Sequence, residues 1–200
     1  RESIAWTHRT TKEGESYFVS NQKEEVLETK FSFRVDGRIP YIYNPESGEE
    51  RSLNEWKVVN GRTEIPLKLN ANESCFVLFK EKTKETIQKS GLNWLTFEKA
   101  KTLNENWSIQ FDPEFHGPKN PIRTSKLFDW SQSKNDSIKY YSGTAIYAKT
   151  FNWDSSKQQA VWLHIGDVSN MAEVVLNDKN LGVLWTYPFR LNISKALKQG

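Results

Sequence analysis

Apolar and polar positions alternate along much of this chain. Over residues 27–35 (LETKFSFRV) the odd positions are apolar or β-branched and the even ones polar, the signature of a half-buried strand. Residues 63–69 (TEIPLKL) repeat it. Pro66 falls on the outward parity there and has no N–H to give a ladder, so this strand is expected at a sheet edge. Residues 16–20 and 75–80 read as two further strands. Asp36-Gly37 and Asn44-Pro45-Glu46-Ser47-Gly48 are turn sequences between the runs. Residues 1–82 are therefore expected to form one antiparallel sandwich.

The pattern changes at residue 83. Residues 83–90 are polar and Gly91 breaks the run. Residues 83–102 are expected to be a linker, with Trp94-Leu95-Thr96-Phe97 as a short packed strand. Strand patterns resume at 107–111, 145–151, 160–165, 172–176, 181–184 and 189–193. Asn177-Asp178-Lys179-Asn180 joins two of them as a hairpin. A long loop with Gly117, Pro118 and Pro121 follows Asp112-Pro113, and residues 125–131 are expected to hold a short helical turn. Ser194 is expected to cap a single turn over 195–199 that stops at Gly200. There is no long amphipathic helix and no internal repeat. The fold class is all-β, two tandem antiparallel β-sandwiches over residues 1–82 and 103–200.

Composition narrows the function classes. Two hundred residues, 36% hydrophobic and 26% charged, suffice for a real core and exclude a disordered chain. No run of about 18 apolar residues exists, so no membrane-spanning helix is expected. The net charge of +3 is scattered; even residues 80–89, the densest basic stretch, contain Glu81 and Glu85. That argues against a nucleic-acid partner. The N-terminal Arg1-Glu2-Ser3-Ile4 carries no secretory pattern and leads almost directly into a strand, as expected of a piece of something longer. Eight tryptophans are many for this length. Most should pack in the core, but exposed rings can stack on the apolar face of a pyranose.

Few residues suggest chemistry of their own. Cys75 is the single cysteine and sits in the apolar run Cys75-Phe76-Val77-Leu78-Phe79, so an inert buried thiol is expected. His8, His116 and His164 are too far apart in sequence for a metal-ligand pattern, and no cofactor is expected. His164 reads as a partly exposed strand residue beside Trp162, with Val161, Leu163 and Ile165 on the core face. His8-Arg9 is a polar pair for a neighbouring domain or for solvent. Glu24-Glu25, Glu49-Glu50, Asp112, Glu114 and Asp167 supply carboxylates, but a glycosidase needs two held roughly 5 to 10 Å apart across a bond, and solvated charge is the plain reading. The loop Gly166-Asp167-Val168-Ser169-Asn170 has one acid, too few for calcium. Trp185-Thr186-Tyr187-Pro188-Phe189-Arg190 places two amphipathic rings and a guanidinium at a strand entry, suited to stacking and hydroxyl contacts, with Phe189 and one ring as the alternative core cap.

Several of these strings resemble a known family. Ser142-Gly143-Thr144-Ala145-Ile146-Tyr147, Leu163-His164-Ile165-Gly166-Asp167-Val168, Ala172-Glu173-Val174-Val175-Leu176-Asn177 and Leu181-Gly182-Val183 resemble the sugar-binding jelly-roll domain of family 2 glycoside hydrolases. With residues 185–190 added, the string is similar to the C-terminal region of family 106 glycoside hydrolases, the α-L-rhamnosidases of gut-type Bacteroidetes. Trp6-Thr7-His8-Arg9-Thr10-Thr11, followed by Tyr17-Phe18-Val19-Ser20-Asn21, resembles the β-sandwich after their catalytic barrel. The resemblance implies a galactose-binding-like jelly roll over 103–200 and a periplasmic or extracellular place. It implies two partners, a glycan and the catalytic domain of the same polypeptide. It carries over no catalytic residue, because the family's acids lie in an upstream α/β barrel. The family's jelly roll continues past the glycine at which this sequence stops. An open edge is therefore expected there, covered by another chain or by the first sandwich.

Three functions follow as expectations. The first is a non-catalytic accessory region of a glycosidase, with Trp185 and Tyr187 stacking on sugar, Arg190 and Asn170 bonding hydroxyls, and His8 and Arg9 between domains. The others are a stand-alone carbohydrate-binding module and a structural or adhesion module whose exposed rings meet protein.

Overall fold

The computed structural model describes residues 3–154 and 160–200. The first part builds nine strands: β1 (Ile4–Thr10), β2 (Glu15–Asn21), β3 (Leu27–Phe33), β4 (Arg38–Tyr43), β5 (Glu50–Ser52), β6 (Glu55–Val59), β7 (Arg62–Leu69), β8 (Ser74–Lys82) and β9 (Ile87–Lys89). They form two antiparallel sheets, ordered β1-β2-β8-β4-β5 and β3-β7-β6-β9. One parity of each central strand faces the other sheet. Tyr17, Val19, Val77 and Phe79 from the first sheet meet Phe33, Trp56, Ile65 and Leu67 from the second in one buried cluster. Cys75 belongs to this core, and burial pushes its thiol up to about 12, so it is inert as expected.

The turns follow from residues that accept left-handed backbone. Asn44 Oδ1 accepts from the N–H groups of Glu46 at 2.8 Å and Ser47 at 3.2 Å, and Gly48 takes φ 70°, closing the β4–β5 hairpin. Asn60 and Gly61, at φ 52° and 70°, turn β6 into β7 between the paired Val59 and Arg62. The sequence reading passed over this Asn-Gly signal, and with it β6.

Two expectations are corrected in this part. The strand holding Pro66 is not at an edge, since β7 lies between β3 and β6. Pairing with β6 ends at Glu64, however, so Pro66 sits on a locally unpaired flank where its missing N–H costs nothing. The segment 83–102 is not simply a connector. It supplies β9, which pairs with β6, and Asn93, which is buried; no strand forms at residues 94–97.

The later strands are shorter than their patterns. β10 (Trp107–Phe111), β11 (Ile122–Thr124) and β12 (Ala145–Ala148) make a sheet ordered β11-β10-β12. Ile109, Phe111 and Ile138 are buried against it, with the rings of Trp130 and Tyr141 edge-on to Phe111 at 5.1 and 5.0 Å. β13 (Trp162–His164) pairs with β16 (Arg190–Asn192), and β14 (Ala172–Leu176) with β15 (Lys179–Leu184). Asn177 and Asp178, at φ 51° and 64°, make the expected hairpin turn.

The expected helical turn falls at the end of residues 125–131 and runs one residue past it. A 3-10 turn at Trp130–Gln132 is capped by Asp129, and α1 (Asp136–Lys139) by Asn135, each through a side-chain oxygen. A single turn forms at 194–196, closed by the Ala196 N–H on the Ile193 carbonyl at 2.9 Å, and does not extend to 199; Ser194 Oγ accepts from the N–H of Val161 at 2.8 Å rather than capping it.

The chain forms two compact units, one within Arg1–Thr96 and Gln159–Ala196, the other within Phe97–Gln158 and Leu197–Gly200. The strands of 103–200 are thus divided, β10–β12 in one unit and β13–β16 in the other. In the second unit Trp153 and Gly200 exchange both backbone hydrogen bonds, at 2.6 and 3.1 Å. Among the described residues, no helix is long and apolar enough to cross a membrane.

Candidate functional site

The loop between β15 and β16 gathers most of the expected contact residues. Phe189 anchors it: the ring is 4% exposed, and its carbonyl accepts from the Ile165 N–H at 3.1 Å. The Tyr187 ring stands edge-on to Phe189 at 4.7 Å, and its hydroxyl donates to Asp167 Oδ1 at 2.9 Å. That bond to Asp167 raises the pKa of the Tyr187 hydroxyl, so the phenol stays protonated as a donor. The alternative in which Phe189 and one ring cap the core therefore holds for Phe189, with Tyr187 packed edge-on at its rim.

Trp185 lies just outside this anchor and is 63% exposed. An indole left so open is available to stack on a flat apolar surface. Arg190 opens β16 opposite His164 on β13. Burial lowers the guanidinium's pKa, with Glu73 opposing, and it still carries its charge. Burial, then the neighbouring Arg190, lowers that of His164, which favours a neutral imidazole on this exposed strand end. Asn170 is exposed farther along the loop that carries Asp167. The structure thus joins Tyr187, Phe189 and Asp167 directly, and pairs Arg190 with His164. Asp167 as the anchor of Tyr187 was missed in the sequence, where nothing links two loops so far apart.

The pair His8-Arg9 is split by strand parity. His8 points inward, stacks on Tyr17 at 4.1 Å and bonds Glu15 Oε2 at 2.7 Å. Arg9 faces outward, in a shallow depression of about 240 Å³ shared with Phe18 and Phe76. Glu15 has its pKa held below the ordinary 4.5, mainly by the Thr10 hydroxyl and then by His8. A depressed carboxylate stabilises the fold above its unfolded pKa and loses that contribution as pH falls through the folded one. His8→Ala is therefore expected to lower stability at neutral pH by under about 1 kcal/mol. It should also flatten the decline below about pH 4.5, which urea unfolding from neutral into acid pH would show.

Three of the other acids are engaged locally. Glu25 pairs with Lys23 at 3.3 Å, Glu50 with Lys80 at 2.6 Å, and Asp112 accepts from the Glu114 N–H at 2.9 Å. Among the described residues no three His, Cys, Asp or Glu converge as a metal site.

A family model described as alpha-L-rhamnosidase matches residues 1–57. A protein of Formosa agariphila named "Putative beta-glucuronidase" is 32% identical over 178 residues, 86% of this chain and 15% of that protein. The solved rhamnosidase of Novosphingobium sp. PP1Y superposes with a TM-score of 0.85 at 27% identity, covering 100% of this chain and 20% of that one. This chain is similar to a partial region of these glycoside hydrolases. It spans about a fifth or less of the length of these two relatives.

Proposed function

We propose that this region is the non-catalytic accessory part of an exported, rhamnosidase-like glycoside hydrolase, and that it lends glycan contacts to a catalytic module elsewhere in the same polypeptide. The exposed Trp185, beside a Tyr187 pinned by Asp167 and Phe189, carries this reading. Its ring would stack on the sugar, with Tyr187, Arg190 and Asn170 offered to hydroxyls. The galactose-binding-like jelly roll expected over 103–200, a role for Arg9 towards a neighbouring module, and a periplasmic or extracellular place belong to the same proposal. The matches to a rhamnosidase and a named glucuronidase support a glycan as the partner.

Calorimetry with neutral glycans, rhamnose oligosaccharides included, tests it on the 200-residue chain. Trp185→Ala is expected to weaken binding about 10-fold, the worth of one stacked ring. Equal affinity in the variant, or no binding by the parent chain, would overturn the sugar-contact role.

A further inference from the structure

The first sandwich has an open edge. β1 and β3 are the edge strands of the two sheets, and between them lies a groove of about 770 Å³. That volume falls within the roughly 300–1,000 Å³ of small-ligand sites. Strand parity puts Trp6 on the same face of β1 as Ile4 and His8, the face turned toward the core. Yet Trp6 is 56% exposed, because no described residue closes over it from the β3 side. Phe31 lies across the groove, half-buried and stacked on the buried Phe33 at 6.2 Å.

Three cations line the groove, Lys30, Arg34 and Arg62, and no carboxylate among the described residues does. Arg62 is held rigid by bonds to Ser32, from Nε to Oγ at 2.8 Å and from Nη2 to the carbonyl at 2.7 Å. Lys30 reaches Glu64 at 3.5 Å, while Arg34 is exposed and makes no ion pair among the described residues. Tyr17 forms part of the wall. It is 4% exposed, and its hydroxyl has no hydrogen-bond partner among the described residues. A buried hydroxyl left unpaired is costly, and native interiors rarely tolerate one.

We propose that this groove is a second glycan site, for a sugar chain that carries carboxylates. The proposal rests on the reading of this region as glycan-contacting, and it concerns a surface separate from the Trp185 loop. Trp6 and Phe31 present rings for the apolar faces of the sugars. Arg34 and Arg62 present planar forks that match a carboxylate.

The test is calorimetry of the 200-residue chain with oligogalacturonate and oligoglucuronate, each beside its carboxyl-reduced counterpart. At least one acidic oligosaccharide should bind, more weakly as salt is raised. Trp6→Ala and Arg34→Glu should each weaken it about 10-fold, with thermal midpoints unchanged because both residues are exposed. Trp185→Ala should leave it unchanged. Equal binding of the reduced sugars, unchanged affinity in both Trp6→Ala and Arg34→Glu, or no binding of either acid would overturn the proposal. Neutral-glycan binding lost only in Trp185→Ala would then leave the loop reading standing alone.

Discussion

Asn93→Ala is expected to destabilise the first sandwich by about 3 kcal/mol, since it orphans three part-buried backbone groups at once. Asn93 is 2% exposed and acts as a one-residue strand. Its Oδ1 accepts from the Glu55 N–H at 2.8 Å, and its Nδ2 donates to the Glu55 carbonyl at 2.6 Å, as a paired peptide would. The second Nδ2 proton goes to the Pro66 carbonyl at 2.9 Å, on the flank that β6 leaves unpaired. The Asn93 carbonyl in turn accepts from Arg51 Nη2 at 2.6 Å. Alanine leaves these groups without partners and without ready access to water. Asn93→Asp should be at least as damaging, because it turns an acceptor carboxylate toward two carbonyls in a buried place. The comparison is Asn54→Ala, an exposed side chain that makes a single bond to Leu92, expected to cost under about 1 kcal/mol. Urea midpoints of the three variants decide it, and equal values for Asn93→Ala and Asn54→Ala would refute this account.

Asn93 also shows where the sequence stopped being legible. The alternation over 27–35 and 63–69 could be read because burial on one face is a local, period-two property, and Ile65, Leu67 and Phe33 are buried as it requires. Asn44 with Gly48, and Asn177-Asp178, could be read because they satisfy their own backbones within a few residues. Asn93 satisfies residues 38 and 27 positions away, so its role is invisible until the sheet exists. The strand and the buried residue inside 83–102 were hidden for that reason, and so was the interior place of the strand that holds Pro66. In the candidate site, the rings of Trp185 and Tyr187 were recognisable by type and spacing. The bond from Tyr187 to Asp167, 20 residues earlier, was not. The groove under Trp6 was likewise hidden, because an inward-facing tryptophan reads as core until the opposite edge proves to be open.

Gly14→Ala should be the most damaging glycine substitution in the first sandwich, on the order of 3 kcal/mol or more, for both backbone strain and collision act there. Gly14 closes the β1–β2 turn, exchanging backbone hydrogen bonds with Thr11 at 2.8 and 3.3 Å. Its φ is +144°, a region that L side chains rarely adopt, and a Cβ would stand 2.0 Å from the Phe79 carbonyl oxygen. Phe79 is fully buried on β8, at the register position where β2 begins its ladder with β8 through Glu15. The obstructing atom is backbone in a central strand, so relief requires the end of β2 to leave β8. Gly48→Ala isolates the other half of the effect: its φ is +70°, but nothing lies within 4 Å of the added carbon. It should cost only about 1 kcal/mol of conformational strain. Denaturant unfolding of the two variants separates collision from strain, and a Gly14→Ala loss no larger than that of Gly48→Ala would remove the close approach of β2 to β8. Because the same hairpin carries Trp6 and, through Glu15, fixes His8 on Tyr17, Gly14→Ala should also abolish binding at the β1–β3 groove while leaving the Trp185 loop competent.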